Sequence, residues 1–169
     1  MLHTMRSLVH DKTGMSLAEI LVACVIIAIG LVGLLSAVPT ASYGIQEGVQ
    51  LSTATFLANQ RLEQVRNAQW VGTPANDCLG ISAPSTAAPT SASCNGAAVT
   101  TFLDESPMAA PYAGYTRTVR ITDCSLTACG GIADAEMRQV TVTVTYRAVT
   151  ATGVGGTKSA LVSMFMAQR

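Results

Sequence analysis

The chain has 169 residues, with ten Lys plus Arg balanced by ten Asp plus Glu, so its formal net charge is zero. Hydrophobic residues make up 49% and charged residues only 12%, about half the charged share of an average soluble domain. The length fits one domain, the balanced charge argues against a nucleic-acid-binding protein, whose mark is a basic excess, and the apolar content argues against intrinsic disorder.

Residues 1–14, MLHTMRSLVHDKTG, form a short leader with Arg6 and Lys12 offset in part by Asp11. No charged residue occurs in the 27 positions between Glu19 and Glu47. Within that run Ile20 to Val38 is apolar at 16 of 19 positions, the exceptions being Gly30, Gly33 and Ser36. As a helix it would span about 28 Å at about 1.5 Å per residue, close to a bilayer core of about 30 Å. A domain this small has no room to bury such a helix on all sides. A cleavable secretory signal has a shorter apolar stretch and a small-residue cleavage site after it, where this chain has Pro39. The reading is a membrane helix, and the basic leader orients the bulk of the chain outside the cytoplasm. Glu19 stands at the lip of the run, where an acid also suits the helix macrodipole.

The stretch Lys12-Thr13-Gly14-Met15-Ser16-Leu17-Ala18-Glu19, followed by the apolar run, resembles the type IV prepilin processing motif. The resemblance implies that a dedicated membrane peptidase cuts between Gly14 and Met15 and that the new amine of Met15 is N-methylated. It also implies that Glu19 aids assembly by pairing with a terminal amine. The family usually has Phe where this chain has Met15. Methylation keeps the charge of an amine. On a helix, residues 15 and 19 would face the same side, and a buried pair of this kind serves register more than stability.

Pro39, Gly30 and Gly33 weaken helix locally, which permits melting on assembly or simply close helix contact. Residues 43–70 read as an amphipathic second half of the same helix. Ile45, Val49, Phe56, Leu57, Leu62 and Val65 recur at helical spacing, with Arg61, Glu63 and Arg66 turned to solvent. The phrase Phe56-Leu57-Ala58-Asn59-Gln60-Arg61-Leu62-Glu63-Gln64-Val65-Arg66 is similar to the end of the long helix in PilV-type minor pilins and in the I-type minor pseudopilins of type II secretion.

Residues 71–98 change character: 23 of these 28 are Ala, Gly, Pro, Ser, Thr, Asn or Asp. Pro74, Pro84 and Pro89 exclude a regular helix, and the segment reads as a connecting loop with a variable surface. Of five cysteines, Cys24 lies in the apolar run as a small hydrophobe. Cys78, Cys94, Cys124 and Cys129 fall in the extracytoplasmic part and suggest two disulfides. Sequence order favours Cys78 with Cys94 and Cys124 with Cys129; the two other pairings stay open. A metal site is the alternative, against which stand the absence of CxxC spacing and of a nearby histidine. Residues 115–122 and 139–148 alternate with period two, the second placing Val140, Val142, Val144 and Tyr146 on one face. A turn at Gly153, Gly155 and Gly156 leads into a strand at 157–167, and a weaker strand is expected at 99–103.

The expected fold is therefore α+β and type IV pilin-like: a long N-terminal helix, half membrane and half amphipathic, packed on a C-terminal antiparallel sheet. The division is 1–14 leader, 15–42 membrane or filament-core helix, 43–70 amphipathic helix, 71–98 connecting loop and 99–169 sheet region. Both histidines, His3 and His10, fall in the leader, so the processed chain would lack the commonest general base. No enzyme activity, cofactor or metal is expected. The resemblance implies a minor pilin that helps initiate or cap a type IV pilus. The alternatives are a minor pseudopilin of a type II secretion filament or a single-pass surface-binding protein. The implied partners are other pilins through the N-terminal helix, the prepilin peptidase and methyltransferase, and the inner membrane. The bulk would lie in the periplasm before incorporation into a pilus or filament at the cell surface.

Overall fold

The computed structural model describes residues 16–125, 129–148 and 156–169. The chain divides into two units, Met1–Ser42 and Tyr43–Arg169. A single helix, α1 (Leu17–Arg66), contributes to both.

In the first unit every described side chain is exposed. The α1 helix runs through Pro39 without a break. Its small hydroxyl residues fold back on their own backbone around that point. Ser36 Oγ donates to the Gly33 carbonyl at 2.8 Å, Thr40 Oγ1 to Ala37 at 2.8 Å and Ser42 Oγ to Val38 at 3.0 Å. Such local bonds are the cheap way for Ser and Thr to sit in a helix. Thr40 Oγ1 also reaches the Ser36 carbonyl at 3.3 Å.

The second unit is built on a three-stranded antiparallel meander. Its strands are β5 (Tyr115–Asp123), β6 (Met137–Arg147) and β7 (Thr157–Ala167), in the order β5-β6-β7. The pairing of β6 with β7 is unbroken from Met137↔Ala167 to Arg147↔Thr157. Two-residue periodicity places Val119, Ile121, Val140, Val142, Val144 and Tyr146 on one buried face. The opposite face carries Thr116, Thr118, Thr122, Thr141, Thr143 and Thr145, all half-buried. The core is completed by Ala54, Leu57, Ala58 and Val65 of α1, with Leu62 partly buried. Each large aliphatic buried here contributes on the order of 2 kcal/mol.

The amphipathic reading of residues 43–70 needs correction. Ile45, Val49 and Phe56 are exposed at 70%, 61% and 59%, while Ala54, Leu57, Ala58 and Val65 are buried. At about 100° per residue the first three stack on one side of the helix and the buried set on the other. The helix has two apolar faces, and only one meets the sheet. Arg61 is not turned to solvent either; its guanidinium lies 3.0 Å from Glu105 and over the Phe102 ring. The helix stops at Arg66, earlier than residue 70. Trp70 instead opens β1 (Trp70–Val71), with its ring buried beneath the Arg138 guanidinium, 4.3 Å from centroid to Cζ.

The segment 71–98 is shorter on loop than its composition implies. It holds β2 (Asn76–Asp77), paired with β1, and β3 (Thr90–Cys94), paired with β4 (Ala97–Thr100). The strand expected at 99–103 is this β4, set a few residues earlier. Its hairpin turns at Asn95-Gly96, both with positive φ (52° and 80°), as a primed two-residue turn requires. Gly80 also needs its missing side chain: at φ 72° a Cβ would lie 2.8 Å from the Thr90 backbone. Disulfides join Cys78 to Cys94 and Cys124 to Cys129, with Cα separations of 4.5 and 5.1 Å. Of the expected glycine turn, Gly153 and Gly155 lie outside the described residues.

Candidate functional site

The residues singled out from the sequence gather at the start of α1, and the local physics there starts with Ser16. Its carbonyl accepts from the amides of Glu19 (2.9 Å) and Ile20 (3.2 Å), and its hydroxyl accepts from Glu19 N at 3.4 Å. Ser16 is therefore the N-cap, and Glu19 stands at the third helical position. Ser-x-x-Glu is the sequence pattern of a capping box. That signal was present in the chain and is a more local account of where the helix begins than the apolar run. Gly14 and Met15 lie outside the described residues. Because α1 starts at Leu17, Glu19 has no described helical neighbour four residues before it.

Beyond the cap, α1 is long and apolar enough to cross a membrane by length and composition, and none of its most apolar window is buried. Cys24 is a free, exposed thiol in that stretch.

The second unit carries three charged clusters that sequence reasoning did not find. In the first, Arg117 is buried. It donates to both oxygens of Glu105 at 2.8 and 2.9 Å, to the Leu57 carbonyl at 3.0 Å and to Gln60 at 3.3 Å. It ties the 101–111 segment and β5 to α1. In the second, Arg138 donates to Asp77 Oδ1 at 2.8 Å. Burial alone pushes the Asp77 carboxyl up, but the Arg138 hydrogen bond and the Gly80 and Leu79 amides outweigh it and hold the group below the usual carboxylate range. Ser91 Oγ closes on the Asp77 carbonyl from β3. In the third, Glu47 of α1 accepts from Lys158 at 2.7 Å and from Tyr146 at 3.4 Å. On the surface, hydrogen bonds from Arg120 hold Asp104 below its ordinary value.

A signal for the first two clusters existed in the strand parity. Arg117 and Arg138 occupy core-facing positions of β5 and β6, where an arginine needs a buried partner. Their bonds run to Leu57, Gln60, Glu105, Asp77 and Gly80. Cys78, Cys94, Cys124 and Cys129 are spent in the two disulfides. Among the described residues no group of three or more His, Cys, Asp or Glu is placed to hold a metal ion. The first two clusters fasten loops to the sheet and helix, and the third joins α1 to β6 and β7.

Compared with known protein families, residues 10–35 match the Prokaryotic N-terminal methylation motif. The comparisons with curated proteins and with solved structures gave no match. The matched stretch covers Gly14, Met15, Ser16 and Glu19 and runs into the apolar part of α1. The chain thus carries the N-terminal signal of a type IV pilin-like or pseudopilin substrate of prepilin peptidase, a class of structural subunits anchored by an apolar helix and assembled into pilin-type filaments.

Proposed function

We propose that this chain is a minor pilin that helps initiate a type IV pilus or cap its tip. The observation that carries the reading is the methylation motif at 10–35 leading directly into an uncharged, membrane-length helix. In this reading residues 1–14 are the leader, residues 15–42 the membrane and filament-core helix, and residues 43–169 the part outside the inner membrane. The division of that last part into 43–70, 71–98 and 99–169 follows composition. Cleavage falls between Gly14 and Met15, and Met15 receives the methyl group on its new amine. Removing Arg6, Lys12 and Asp11 leaves eight basic and nine acidic side chains.

Glu19 has the assembly role. With Ser16 as the cap, the new amine stands one residue before the cap, and the third helical position is where an acid reaches back across it. The carboxylate pairs with the new amine of the same subunit or of a neighbour. The four extracytoplasmic cysteines suit the oxidising periplasm. The phrase at 56–66 favours a minor over a major subunit.

Mass spectrometry of the mature N-terminus tests this directly: N-methyl-Met15 supports it, and an intact leader overturns it. Glu19→Ala should still be cleaved but should incorporate poorly into filaments; normal incorporation removes that role. The same phrase at 56–66 also fits a minor pseudopilin, and the identity of co-purifying filament subunits separates pilus from secretion system.

A further inference from the structure

The two edges of the β5-β6-β7 sheet are treated in opposite ways. The β5 edge is sealed. Glu105 exchanges backbone hydrogen bonds with Arg117, both at 2.9 Å. Met108 N donates to the Tyr115 carbonyl, Ser82 N to the Ile121 carbonyl and Ile121 N to Ser82 Oγ, at 2.9, 2.8 and 3.1 Å. The β7 edge has no partner among the described residues: β7 pairs with β6 on one side and ends the sheet. Only past its end does Arg169 N donate to the Trp70 carbonyl at 3.0 Å.

Free edges are normally blunted by short length, proline, bulges or charge. β7 is 11 residues long, contains no proline, pairs without a bulge, and carries one charge, Lys158, held at one end by Glu47. Its apolar residues are uncovered on one face and covered in part on the other, where Ala160 and Met166 are buried. Leu161 and Phe165 are 63% and 44% exposed on the threonine face, and Val162 and Met164 are only partly buried on the core face. A neighbour on this edge would cover both sets. The edge itself is neutral from Ser159 to Gln168, and cations bracket it. Arg147, at the end of β6 opposite Thr157 and one strand in from the edge, is exposed with no side-chain partner among the described residues. At the other end an open recess of about 320 Å³ is lined by Arg66, Arg169, Phe165, Met164 and Met166.

We propose that the free edge of β7 binds an extended segment of a different polypeptide as a fourth strand, one that alternates apolar residues through its middle and carries a carboxylate near each end. Backbone pairing supplies the affinity and alternate side chains the selection, as in strand addition generally. A second copy of this chain is the poorer occupant. Two β7 edges paired antiparallel would set the end of one copy that carries Arg147 and Lys158 beside the Arg169 end of the other, and like charges brought close are unfavourable. The inference does not depend on the filament reading.

The test uses the full chain in detergent micelles with two labelled peptides of about eleven residues, alternating Val and Thr, one ending in Asp at both ends and the other in Lys. The Asp-ended peptide should bind about tenfold more tightly, with the preference fading in high salt. Binding should slow amide exchange selectively in residues 157–167. The Arg147→Glu, Arg169→Glu double variant should reverse the order of the two peptides while leaving the rest of the exchange pattern unchanged. Equal affinity for both peptides, binding with no protection in β7, or concentration-dependent self-association that protects β7 without peptide would each overturn the proposal.

Discussion

The stretch of α1 before residue 43 and the unit that follows it obtain their order from opposite sources. In the first, the described side chains are all exposed, bulky aliphatics included. In the second, aliphatics from α1, β5 and β6 close a core, two disulfides staple the loops and buried arginines fasten them to the frame. The first stretch must find its apolar cover outside the described residues of the chain, as a membrane anchor does. The second is stable on its own contacts. A mutation should therefore report on insertion in one place and on unfolding in the other.

The largest separation should come from Ile27→Arg. A charge at the centre of the apolar run costs about 2.5–3.5 kcal/mol of insertion free energy, so the protein should move from the membrane pellet to the alkali-extractable fraction. The thermal melt of the second unit, followed by the fluorescence of Trp70, the sole tryptophan, should stay unchanged; a lowered melt would break the division. Arg117→Met comes next and acts on the other side. It takes the bidentate partner from Glu105, which keeps Arg61, and the buried donor from the Leu57 carbonyl, so it should lower unfolding stability in urea by about 3 kcal/mol, with membrane fractionation unaffected.

Third, replacing Cys78 and Cys94 by serine should cost about 2–4 kcal/mol. The pair spans 16 residues against 5 for Cys124–Cys129, so removing the second pair should cost about 1 kcal/mol less by loop entropy. The smallest effect is with pH. The Asp77 carboxyl is held below its unfolded value, so its contribution is present above about pH 4 and is lost as the pH falls through the folded value. Asp77→Asn should lose less stability than the parent protein between about pH 4 and pH 2, measured as urea midpoints. Equal slopes would place the acid sensitivity elsewhere, with Asp104 the next carboxyl to exchange.

What could be read from the sequence followed the strength of local pattern. Val140, Val142 and Val144 alternate so regularly that β6 was legible, as were β5 and β7. The membrane-length run was equally plain. Ile45, Val49 and Phe56 were misassigned because periodicity reports that a face is apolar and not which of two opposed faces meets the core. The Asn95-Gly96 turn and the Ser16-x-x-Glu19 cap were legible in principle, since both are short patterns with a mechanism. The sealing of β5 by Glu105 was not. Nothing near Asp104-Glu105 announces a partner in Arg117, because that contact is set by how the 101–111 segment crosses the sheet edge. Arg117 and Arg138 gave a parity warning without naming who would answer it.

The placement of the core has a consequence for the order in which the chain acquires structure. Ala54, Leu57, Ala58 and Val65 are buried against strands whose first residue is Tyr115, so their partners are synthesised about fifty residues later. The meander itself needs only consecutive pairings and is quick to nucleate once β6 has emerged. Until then the helix presents two greasy stripes to its surroundings at once, the one that the sheet will cover and the one formed by Ile45, Val49 and Phe56. Maturation is thus a race between strand pairing and self-adhesion of the waiting helix.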